Sequence, residues 1–68
     1  MNIGFDVKRN STYLELIVTT DNIQASSGLL NETESVEMAR ELIYTAERLL
    51  PAGCGEIEHR LSVEREKL

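Results

Sequence analysis

The sequence predicts an α+β fold: a three-stranded antiparallel β-meander packed on one amphipathic α-helix, followed by a short C-terminal helix or a fourth strand. Three observations predict it. Residues 2–8 and 12–20 alternate apolar and polar side chains with the period of a strand. Two turn signals, "RNST" and "DN", separate strand-like segments. Residues 31–50 then place apolar side chains at three- and four-residue steps, the period of a helix. A chain of 68 residues is read as a single β-β-β-α domain over 1–68, with a C-terminal extension at 56–68.

In the first strand Ile3, Phe5 and Val7 share one face, and Gly4, Asp6 and Lys8 share the other. In the second, Leu14, Leu16 and Val18 alternate with Tyr13, Glu15, Ile17 and Thr19. A two-residue loop at Asn10-Ser11 pairs Val7 with Leu14, Phe5 with Leu16 and Ile3 with Val18, so apolar residues meet on one face. Asp21-Asn22 serves as the second turn, both residues tolerating positive φ. It pairs Thr20 with Ile23, Val18 with Ala25, Leu16 with Ser27 and Leu14 with Leu29. Gly28 is expected to end or bulge the third strand, and small Ala25 and Ser27 leave room for a helix on that face.

The helix is bracketed at both ends. Asn31 caps it with Glu34 at the capping-box position, and Pro51 stops it after Arg48 has met the C-terminal dipole. Val36, Ala39, Ile43, Ala46 and Leu50 form its apolar stripe. Met38, Leu42 and Leu49 widen that stripe beyond what three short strands cover, which makes them the expected seam of a homodimer. Size points the same way, because so short a chain buries little core and its one cysteine closes no internal disulfide. Tyr44 is the exception: it falls on the polar face with Glu37, Arg40, Glu41, Glu47 and Arg48, and Arg40 and Arg48 stand four residues away, able to stack on its ring.

The tail "EIEHRLSVEREKL" fits two templates. Ile57, His59, Leu61 and Val63 alternate as a strand would, whereas Ile57, Leu61 and Leu68 share one helical face and Glu56–Arg60 makes an i,i+4 pair. Its richness in Glu, Arg, Leu and Lys favours helix.

The chemistry is sparse. "LLPAGCGEIEH" holds the only proline, cysteine and histidine. On a strand Cys54 and His59 would lie on opposite faces about 16 Å apart, and five-residue spacing on a helix aims them in poorly matched directions. Neither geometry builds a nucleophile–base dyad, and two ligands fall short of the four a zinc site uses. The stretch reads as a connector, with Gly53 and Gly55 supplying backbone freedom after Pro51. No catalytic, cofactor-binding or metal-binding residues are assigned, and the chain is read as no enzyme. Two N-x-[ST] matches, at Asn10 and Asn31, read as a turn and a helix cap.

Net charge is −5, split as −1 over residues 1–31 and −4 over residues 32–68. That balance disfavours nucleic acid, which would need Lys8, Arg9 and Arg60 to converge, and disfavours anionic membranes. The N-terminus shows no signal-peptide pattern and no apolar run nears the ~20 residues of a membrane span, so a cytoplasmic location is expected. The expected function is protein–protein interaction: an acidic helix surface of Tyr44, Arg40, Glu37, Glu41 and Glu47 docking on a larger host or partner protein. The alternative is a structural homo-oligomerisation module. In size and composition the chain resembles accessory proteins of bacteriophages and prophages, including inhibitors of host proteins; no motif carries that resemblance and it names no family.

Overall fold

A computed structural model describes residues 2–68. The order of elements is β1 (Ile3–Asn10), β2 (Tyr13–Thr20), β3 (Gln24–Ser26), α1 (Glu32–Leu49), a single 3₁₀ turn (Ala52–Cys54) and α2 (Gly55–Glu66). The fold is therefore α+β, with a three-stranded antiparallel sheet in the order β1-β2-β3. It comprises two compact units, one ending at Ser35 and the other spanning Val36–Leu68, and α1 begins in the first and continues in the second.

The first hairpin keeps the expected faces but moves its turn one residue along. Asn10 pairs with Tyr13, so the loop is Ser11-Thr12, and Val7 faces Leu16, Phe5 faces Val18 and Ile3 faces Thr20. Ser11 takes the left-handed turn conformation at φ 58°. The reason lies on the other face. The expected register would set Asp6 directly opposite Glu15, two carboxylates in contact. The observed one sets Lys8 opposite Glu15 and Asp6 opposite Ile17, which removes the repulsion and leaves Glu15 to accept a hydrogen bond from Ser26 Oγ.

The second hairpin has the expected register: Val18 faces Ala25, and the Thr20 N–H donates to the Ile23 carbonyl at 2.8 Å. The Ser27 N–H donates to the Leu16 carbonyl at 3.0 Å. Beyond it the ladder slips by one residue, and Leu14 pairs with Leu30 instead of Leu29. Gly28, at φ 77°, absorbs the extra residue, which is the expected bulge. The interruption would strand a backbone donor. Ser27 repairs it, its Oγ accepting from the Leu16 N–H at 3.0 Å and donating to the Gly28 carbonyl at 2.8 Å.

Burial in the sheet follows the central strand rather than one face. Leu14, Leu16 and Val18 are half-buried, and Ile17, on the opposite face, is the buried hydrophobic residue among those described. Ile3, Phe5, Val7 and Ile23, on the face expected to be the core, are 45%, 67%, 54% and 67% exposed. Flanking strands shield β2 from both sides, while β1 has a neighbour on one side only.

α1 starts on the expected capping box. The Glu34 N–H donates to Asn31 Oδ1 at 2.9 Å, and the Asn31 N–H donates to Glu34 Oε1 at 3.0 Å. Two of the four orphan donors at the helix start are thus satisfied reciprocally. The helix ends at Leu49, ahead of Pro51. The tail is a helix, which resolves its ambiguity: Glu56 and Arg60 form the i,i+4 pair at 3.1 Å. Between the helices the Cys54 N–H donates to the Pro51 carbonyl at 2.9 Å. The glycines there do not use left-handed backbone; Gly55 has the ordinary helical φ of −55°. A 3₁₀ turn reverses the chain without it.

Candidate interaction surface

Within the second unit α2 returns along α1. Arg65 grips Glu47 with both ends of its guanidinium, Nε to Oε2 at 2.6 Å and a terminal nitrogen to Oε1 at 3.2 Å. Arg40 donates to the backbone carbonyl of Leu68. Tyr44 lies one turn before Arg48 and one turn after Arg40, and its ring carries the Arg48 guanidinium carbon 4.8 Å and that of Arg65 5.1 Å from its centre. Both cations are attracted to the negative ring face.

The five residues expected to form the partner surface are therefore divided. Glu37, Glu41 and Tyr44 are exposed, with Tyr44 44% exposed. Glu47, expected on the solvated face, is buried at 6% and neutralised by Arg65. Arg40 does not stack on Tyr44; Arg65, eighteen positions from Glu47 along the chain, supplies the second guanidinium instead. A fork-shaped cation on a carboxylate gains two parallel hydrogen bonds, which offset part of the cost of taking Glu47 out of water. The carboxylate also holds the Arg65 pKa above its ordinary value, mainly by accepting the hydrogen bond that Arg65 donates to it. Arg65 escaped the sequence reading because no local spacing links it to Glu47. One signal was present: Glu47 follows Ile43 by four residues, so it lies along the edge of the apolar stripe rather than in the middle of the polar face.

Of the expected seam, Met38 is half-buried, whereas Leu42 and Leu49 are 40% and 78% exposed. Cys54 is half-buried at the start of α2, and His59 lies exposed within that helix. His59 instead lines an open depression of about 450 Å³ with Glu47, Gly55, Glu58 and Ser62. Among the described residues no three His, Cys, Asp or Glu side chains are grouped to hold a metal ion, and no helix is long and apolar enough to cross a membrane. Comparisons with protein-family models, curated proteins and solved structures find no match. The surface offers an aromatic ring with two guanidinium groups against it, flanked by exposed carboxylates at Glu37 and Glu41.

Proposed function

We propose that the chain is a small, acidic, non-enzymatic interaction protein that docks on a larger protein through the outward face of its helical unit. The observation that carries this reading is Tyr44, a 44% exposed ring that the Arg48 and Arg65 guanidinium groups pack against, 4.8 and 5.1 Å from its centre. An aromatic side chain fixed before binding loses little rotamer freedom on contact, and buried aromatic anchors dominate interface energetics. Glu37 and Glu41 border the ring and suit a partner surface bearing Lys or Arg. Arg40 and Glu47 serve the same surface from behind, by holding α2 and hence Arg65 in place. Inhibition of a host protein, as by phage accessory proteins, is one use of such a surface.

The test is affinity capture from the native host's lysate followed by a binding titration with the captured protein. Tyr44→Ala should weaken binding by about 30-fold, the ~2 kcal/mol of a hot-spot residue. Unchanged affinity would place the working surface elsewhere. A second reading, homo-oligomerisation along the helices through Met38, Leu42 and Leu49, draws support from the exposure of Leu42 and Leu49. It requires that Leu42→Glu lower the sedimenting mass.

A further inference from the structure

The sheet gathers exposed apolar side chains on one face. The register places three rows of side chains across it: Ile3, Thr20 and Ile23; Phe5, Val18 and Ala25; Val7, Leu16 and Ser27. We propose that this face packs on the same face of a second copy of the chain, with a two-fold axis running along β2 between the two sheets.

Four features argue for a second copy. The first is shape. A two-fold axis parallel to β2 lays β1 of one copy over β3 of the other and turns each row end for end. Phe5, 67% exposed, then sits over Ala25 of the second copy, and Val18 over its own equivalent. In the same way Val7 sits over Ser27 of the second copy, while Ile3 sits over Ile23 at the end of the face; each contact occurs twice, as an isologous interface requires. Sheets packed face to face about 10 Å apart interdigitate in this way.

The second is charge. Copies with a net charge of −5 repel one another. The carboxylates of the strands, Asp6 and Glu15, project from the opposite face, and Arg9 is the only charged side chain of the strands on the apolar face. The pairing therefore brings no carboxylates of the strands together. The third is area. Ile3, Phe5, Val7 and Ile23 together expose on the order of 450 Å², as large as the largest apolar patch of an ordinary monomer, which is often a functional one. With the half-buried Leu14, Leu16 and Val18 and a polar rim, this approaches the ~800 Å² per partner of a stable interface. The fourth is the edge of the sheet. The Val7 N–H, which points away from β2 in the middle of the β1 edge, is taken by Asp6 Oδ1 at 2.8 Å. One outward donor in the middle of that edge is thereby occupied, which weakens edge-to-edge pairing there.

Analytical ultracentrifugation of the full chain tests this, with circular dichroism as the check on folding. The wild type should sediment at twice its 7.7 kDa mass. Phe5→Glu and Ala25→Phe should each raise the dimer dissociation constant at least about 100-fold. The double variant Phe5→Ala/Ala25→Phe exchanges the large and small partners and should recover most of that loss. Recovery also shows that the effect comes from the contact rather than from misfolding, so the test stands even where a single variant unfolds. Leu49→Glu should leave the dimer intact, which separates this interface from one along the helices. A wild type that stays monomeric at about 100 μM, dimers indifferent to Phe5→Glu, or a double variant no better than Ala25→Phe would each overturn the proposal.

Discussion

At the scale of single residues, two glycines that look alike in the sequence do opposite work. Gly28 holds φ at 77° in the bulge, where a side chain clashes with its own backbone. Gly28→Ala should therefore cost about 1 kcal/mol in urea unfolding, through strain alone, because an added methyl meets nothing nearby. Gly55 is helical, and an added methyl meets nothing there either. Gly55→Ala should stabilise the protein by roughly 0.5–1 kcal/mol, since the unfolded chain loses freedom that the native state never uses. Asn31 is legible in both: its cap was expected and is present, and Asn31→Ala should cost about 1 kcal/mol by the same measurement. Glu47 was legible only as a residue at the edge of the apolar stripe; its burial depends on a guanidinium from another element.

At the scale of elements, strands and helix α1 follow from periodicity and caps, but the register of β1 on β2 does not follow from the apolar pattern. Two registers differing by two residues put the same apolar side chains on the same face. Charge on the opposite face distinguishes them, through Lys8 opposite Glu15. The tail is a different case. Its alternation and its helical spacing are both real, and only docking on α1 selects helix. Ile57 and Val63 remain 51% and 39% exposed while Leu61 is half-buried, so polar contacts from Arg65 and to Leu68 add to a thin apolar attachment of α2. Glu47→Gln should therefore speed amide hydrogen exchange across Leu61–Glu66 more than across the capped start of α1. Equal acceleration in both would mean that the pair does not anchor α2.

At the scale of the whole molecule, the distribution of apolar surface governs behaviour. Among the described residues one hydrophobic side chain is buried and thirteen large ones are exposed, too little core for a chain of this length to depend on alone. Association would supply the missing burial, and ligand-like stabilisation grows with concentration. The thermal midpoint should accordingly rise by several degrees between about 5 and 500 μM chain, and the rise should vanish in Phe5→Glu. A concentration-independent midpoint would show that the chain is stable as a monomer.

The sequence by itself determined the α+β class, the two hairpins, the Gly28 bulge and the capped helix, because each rests on residues within a few positions of one another. Only the tertiary structure decided the helical state of the tail, the burial of Glu47 under Arg65 and the clamping of Tyr44. It also decided which strand is shielded and which apolar face lies open. Those outcomes depend on contacts between residues far apart in the chain, where neither periodicity nor propensity carries information and the competition between solvation and pairing is resolved only in three dimensions.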